Sequence, residues 1–246
     1  MQDGHFSGVP LESDPEIFNT VLRGLGVHSL ECRDVLSVHT EDLLPGADLA
    51  LPTPVYALIL LYNATEEYEA GIRAARQKER DEGRGYAGRG EDEPVLWFEQ
   101  KIRHACGFFA LLHAVANLPE RDKFIAPDSL LANLLATTIP LEPTERADAL
   151  KASAALAQVY NPASQRGSTP ITEEVRGHYV CFVPSPKNGH IYELDGGKNG
   201  PVDHDALLGG DRDTLSGGMK LVRDFIRDNL DPQNPGFHVL ALVANE

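Results

Sequence analysis

Phe98-Glu99-Gln100-Lys101-Ile102-Arg103-His104-Ala105-Cys106-Gly107 is a polar stretch that gives way at Cys106 to a nearly continuous apolar run, Gly107 to Ala116. We read that run as a buried helix, although periodicity alone leaves a strand open. On the helix reading, Cys106 stands at the N-terminus, where free first-turn amides and the helix dipole favour an anion. Gly107 beside it would let a substrate backbone approach.

Outward from this stretch the chain alternates helix and strand signals. Asp14-Pro15 opens a helix as cap and first residue, with Ile17, Phe18, Val21, Leu22 and Leu25 on one face and Gly24 and Gly26 as stop signals. Arg33 to His39 and Val55 to Tyr62 read as short strands. Asn63-Ala64-Thr65-Glu66 has the pattern of a capping box and starts a charged helix to about Arg80, followed by a Gly-rich charged loop, Gly83 to Pro94. Helical stretches follow near Ser129 to Thr137 and Thr144 to Tyr160, then an exposed loop composition from Asn161 to Pro170. His178 to Val183 and His190 to Leu194 form a hairpin closed at Asn188-Gly189. A last helix carries Met219, Val222, Phe225 and Ile226, and Phe237 to Val243 ends the chain as a strand. The mixture predicts an α+β fold, one domain over residues 1–246, with a sheet flanked by helices.

With 42% hydrophobic residues, the chain has enough apolar surface for a core. Its net charge of −15 argues against binding nucleic acid, which requires clustered cations. No run is long and apolar enough to span a bilayer, and Met1 to Pro10 lacks signal-peptide architecture, so no membrane partner is expected. Three cysteines without CxxC spacing argue against a disulfide framework or a zinc site, and no metal or cofactor is expected. Reduced thiols suit the cytoplasm or nucleus.

A free cysteine is most often a small buried apolar residue, and Cys32 and Cys181, in or beside strands, fit that description. Cys106 has the surroundings of a reactive thiol, and a nucleophilic thiolate needs a base. His178 opens one strand of the hairpin and Asp195 closes the other, so antiparallel pairing alone brings the two together. Gln100 offers an amide for a developing oxyanion, together with the Cys106 backbone N–H. His104 is close enough to Cys106 to be a rival base, whereas His113 lies two helical turns away.

Several segments together resemble the ubiquitin carboxyl-terminal hydrolases. They are the Phe98 to Asn117 stretch, His178-Tyr179-Val180, Gly189 to Gly196, Pro10-Leu11-Glu12 with Asp14-Pro15-Glu16, Val55 to Leu61 and Glu66 to Glu69, in order and nearly end to end. The resemblance implies a papain-like cysteine protease core, with a mainly antiparallel central sheet, helices on both sides and a knotted backbone. It also implies Cys106 as nucleophile, His178 as base and then acid, Asp195 as orienting carboxylate and Gln100 as oxyanion donor. His104 departs from the pattern, where a small polar residue such as Asn or Ser is expected.

The implied partner is ubiquitin, bound by a protein that acts as a monomer. Its Arg-rich tail would meet Glu12, Glu16 and Asp34, although Asp14 and Glu16 equally suit a helix N-terminus. A crossover loop between Val159 and Pro170 would restrict the leaving group to small adducts or short, unfolded peptides. Two other readings are a ubiquitin-binding module without turnover and a hydrolase acting on another ubiquitin-like modifier.

Overall fold

Asp14 caps the first helix, α1 (Pro15–Leu25), by accepting the Glu16 N–H at 2.8 Å, and Gly26 ends it in the left-handed region at φ 94°. These local signals work as expected in the computed structural model, which describes residues 5–167, 177–207, 214–231 and 236–245. The strands β1 (Leu30–Asp34) and β2 (Ala57–Asn63) follow, then α2 (Glu66–Asp81), where the Thr65 hydroxyl accepts the Tyr68 N–H at 3.1 Å. The apolar run from Cys106 is a helix, α3 (Cys106–Ala116), and all its residues are buried.

Beyond α3 the expected two helices are three: α4 (Leu130–Thr138), α5 (Pro143–Ala152) and α6 (Ala154–Ser164). Ser153 divides the last two, with an extended backbone and a hydroxyl that accepts the Leu156 N–H at 3.3 Å. The expected loop from Asn161 begins late, because α6 continues through Pro162 to Ser164. The Asn161 side chain accepts from Ser7 N–H and donates to the His5 carbonyl, both at 2.8 Å, so tertiary contacts hold the last turn. Of the expected crossover segment, residues 168–170 lie outside the described residues.

The hairpin of β3 (Gly177–Pro184) and β4 (His190–Leu194) turns at Gly189, φ 74°. A strand absent from the sequence reading, β5 (Val202–Leu207), pairs with β4, and α7 (Leu215–Asn229) precedes the last strand, β6 (Phe237–Ala244). The first strand is shorter than expected, ending at Asp34 rather than His39.

All pairings are antiparallel, in the order β1-β6-β2-β3-β4-β5. Alternation along β2 builds two cores: Ile59 joins Cys181, Leu240 and the helices α1 and α3 on one face, while Leu58, Leu60 and Tyr62 meet α7 on the other. The fold is therefore α+β with helices on both faces, and α3 lies against β2 and β3 inside one layer.

Candidate active site

Cys106 is the first residue of α3, and Ala105 before it has no side chain to cap the helix. The first-turn amides thus have no side-chain acceptor from the cap position. Cys106 retains 8% of its surface, against 1% for Cys32 and 0% for Cys181, so it is the cysteine within reach. Burial pushes the Cys32 and Cys181 thiols well up, as suits inert core residues.

The departure at His104 has a backbone cause. The residue sits at φ 58°, a left-handed conformation in which Asn, Asp and His are enriched among non-glycine residues. Its carbonyl lies 3.3 Å from the Tyr160 hydroxyl of α6, which also bonds the Val9 carbonyl. Gly107 does not leave room for a substrate as expected. A Cβ there would meet Tyr179 Cε2 at 3.2 Å and Leu11 Cβ and Phe18 Cζ at 3.4 Å, so this glycine lets α3 pack against β3 and α1.

The thiol approaches the start of β3, with Sγ 4.0 Å from the Gly177 carbonyl oxygen. Next along that strand, His178 places Nε2 2.9 Å from Asp195 Oδ1, which also accepts the Gly197 N–H at 2.7 Å. With Nε2 engaged, Nδ1 is the nitrogen left for the sulfur. Burial pulls the His178 pKa down, but the charge and hydrogen bond of Asp195, with a further contribution from Cys106, hold it well above the usual imidazole value. Asp195 is buried, which raises its pKa, yet His178 outweighs burial and keeps the carboxyl below its ordinary value.

Two aromatic residues fix this pair. Trp97 Nε1–H donates to the Asp195 carbonyl at 3.0 Å, and the Tyr62 ring meets His178 edge-on at 5.7 Å and 85°. The sequence reading did not single out either residue. The Tyr62 contact follows from its register opposite His178 in β2–β3, visible only once the strands are paired.

Gln100 reaches the same neighbourhood through its backbone. Its N–H donates to the Gly196 carbonyl at 2.9 Å, and Gly196 has no room for a side chain, since a Cβ would lie 2.8 Å from Gln100 Cβ and 3.1 Å from Phe98 O. The Gln100 Nε2 amide donates to the Ile102 carbonyl at 3.0 Å. His113 serves the structure of this segment, since its Nε2 accepts the Phe98 N–H at 3.0 Å, and burial pushes its pKa down to about 3.

The three expected tail-binding carboxylates lie around the start of α1 and the end of β1, which His238 joins by contacts to Ser13 and Asp34. Glu12 lies beside Gly167, just after α6, and near the Tyr179 hydroxyl, while Glu16 is exposed in the first turn of α1. Asp34 ends β1, with Oδ1 3.0 Å from His238 Nε2.

A helix-borne thiol facing an imidazole–carboxylate pair across a sheet is the arrangement of the thiol hydrolases. Residues 9–227 match the family described as ubiquitin carboxyl-terminal hydrolase, family 1. The chain is 30% identical over 236 residues to ubiquitin carboxyl-terminal hydrolase 3 of Arabidopsis thaliana, covering 95% of this chain and 93% of that protein. It is 34% identical over 220 residues to the human isozyme L1, with 88% and 90% covered. In fold it is similar to the catalytic domain of Trichinella spiralis UCH37, a structure bound to ubiquitin vinyl methyl ester, with a TM-score of 0.69, 22% identity, and 97% and 95% of the chains covered. The chain belongs to the ubiquitin carboxyl-terminal hydrolase family, whose members are cysteine-type deubiquitinating hydrolases.

Proposed function

We propose that this protein hydrolyses small adducts, esters and short or unfolded peptides from the C-terminal glycine of ubiquitin, through Cys106, His178, Asp195 and Gln100. The observation that carries the reading is the geometry: His178 Nε2 lies 2.9 Å from Asp195 Oδ1, and the Cys106 sulfur stands at the carbonyl of Gly177, the residue before that imidazole. A protonated imidazole beside the sulfur is the partner a thiolate needs.

In the first half-reaction the Cys106 thiolate attacks the glycine carbonyl carbon and forms a C–S bond. The oxyanion is met by the Cys106 backbone N–H and by the Gln100 amide. That amide has two N–H groups, and the bond to the Ile102 carbonyl orients it while leaving one to donate. His178 gives its proton to the departing amine or alcohol as the bond to the carbonyl carbon breaks. In the second half-reaction a water attacks the thioester and passes one proton to the imidazole, and the C–S bond breaks to release the thiolate and the carboxylic acid, which loses its proton to solvent. Asp195 keeps the ring oriented throughout. Glu12, Glu16 and Asp34 are the proposed contacts for the cationic tail, on the ground of charge.

Capture by ubiquitin vinyl methyl ester tests this reading. A covalent adduct on the wild type that is lost in Cys106→Ala supports the enzyme. Reversible ubiquitin binding without an adduct would leave a binding module, and an adduct only with another ubiquitin-like modifier would change the substrate.

A further inference from the structure

The helix α2 buries none of its residues, yet two of its arginines reach the segment that carries Gln100. Arg76 Nη2 bonds Glu99 Oε1, and Arg80 Nη2 meets the same oxygen at 2.8 Å. The Glu99 side chain keeps only 7% of its surface, so its charge needs those cations. Of the two arginines, Arg76 has a second arm: its Nη1–H donates to the Gly197 carbonyl at 3.4 Å. Its Nε has no partner among the described residues, so the two Nη groups make the grip.

The segments joined in this way hold two members of the proposed machinery. Gln100 follows Glu99, and its backbone N–H donates to the Gly196 carbonyl at 2.9 Å. Gly197 N–H in turn holds Asp195 Oδ1 at 2.7 Å. Both segments are irregular backbone with no strand ladder to fix them. A single backbone bond sets a distance but not an angle. The Arg76 guanidinium adds a second tie, one residue before Gln100 and one residue after Gly196. Its planar fork presents donors at fixed angles, which a lysine ammonium cannot copy. The helix behind it is latched as well: Asn199 Nδ2 donates to the Arg76 carbonyl at 3.3 Å and bonds the Glu79 carboxylate.

We propose that Arg76 is a positioning residue for the oxyanion step: by bridging Glu99 and Gly197 it holds the Gln100 amide in register with Asp195. This inference rests on the proposed hydrolysis and on Gln100 as its donor. A misplaced donor costs rate rather than affinity, because it acts where charge develops on the carbonyl oxygen.

Steady-state hydrolysis of a ubiquitin C-terminal ester tests this, with rates counted per site captured by ubiquitin vinyl methyl ester so that lost protein is not read as slower chemistry. Arg76→Lys keeps a cation beside Glu99 and gives up the fork, so kcat should fall about tenfold with KM within about twofold. Arg80→Ala removes the other cation at Glu99 without touching Gly197, and kcat should stay within about twofold of wild type. In Gln100→Ala protein, where the donor is already gone, Arg76→Lys should cost about twofold or less. An unchanged kcat in Arg76→Lys, an equal fall in Arg80→Ala, or the full penalty on top of Gln100→Ala would each overturn the proposal. Arg76→Met combined with Glu99→Gln removes both charges and should show the same fall in kcat, which keeps the test decisive if Arg76→Lys folds poorly. Wild-type protein that the vinyl methyl ester does not capture would instead refute the hydrolase reading, which separates the two failures.

Discussion

His178 is the residue on which the proposed chemistry turns, because three neighbouring influences set its proton. Burial works against the charged ring, and Asp195 and Cys106 work for it. Replacing Asp195 by Asn keeps the shape and removes the charge. The imidazolium then loses its proton more readily, so the alkaline limb of kcat/KM moves to lower pH in Asp195→Asn. A pH profile of ubiquitin-ester hydrolysis checks this, and an unmoved limb would mean that another group titrates there. His178→Ala should lower kcat on the order of 10²- to 10⁴-fold. The His178–Asp195 pair was legible in the sequence because a hairpin makes it local. The approach of Cys106 to the start of β3 was not, since α3 reaches β3 only through long-range packing. His104 looked anomalous by residue type and is explained by one dihedral angle.

At the scale of elements, the segment that carries Trp97 and Gln100 is anchored from behind by Arg146 of α5. This guanidinium is fully buried, meets Glu93 at 2.7 Å, and donates to the carbonyls of Trp97, Thr138, Ile139 and Leu141 at 2.9 to 3.1 Å. Arg146→Met leaves Glu93 buried with no cation and only the Tyr86 hydroxyl as partner, which should cost about 3–5 kcal/mol in urea unfolding. Adding Glu93→Gln should recover part of that loss. If the single and double variants are equally destabilised, the carboxylate is not what the arginine compensates. The cap at Asp14 and the turn at Gly189 were readable because each acts over a few residues, whereas the cap of α2 is Thr65 and not the Asn63 of the expected capping box. The strand β5, Val-Asp-His-Asp-Ala-Leu, was not, because it pairs at the sheet edge and carries a polar sequence. The helical turn through Pro162 was hidden as well, since Asn161 is held by the distant backbone of His5 and Ser7.

For the whole molecule, the proposed crossover segment would set what passes the site. The helix α6 ends at Ser164 and β3 begins at Gly177, beside the nucleophile. The chain from Ser164 to Gly177 has a contour of at most roughly 45 Å at 3.3–3.6 Å per residue. Its shortness supports the proposed preference for small leaving groups. The expected outcome is fast release of a fluorogenic amide from ubiquitin and little cleavage of folded diubiquitin, measured side by side at equal enzyme. Equal rates would reject the preference.

The sheet order also governs how the protein is made. The latest of the six strands to leave the ribosome, β6, is not an edge: it lies between β1 and β2 and pairs with both. Until residues 237–244 emerge, β1 has no neighbour in the sheet, and the apolar side chains that Leu240 and Leu242 will cover stay exposed to chaperones and proteases. A frameshift or early stop ahead of Phe237 would thus remove a central stave rather than a tail, and Asp34 would lose its imidazole with it.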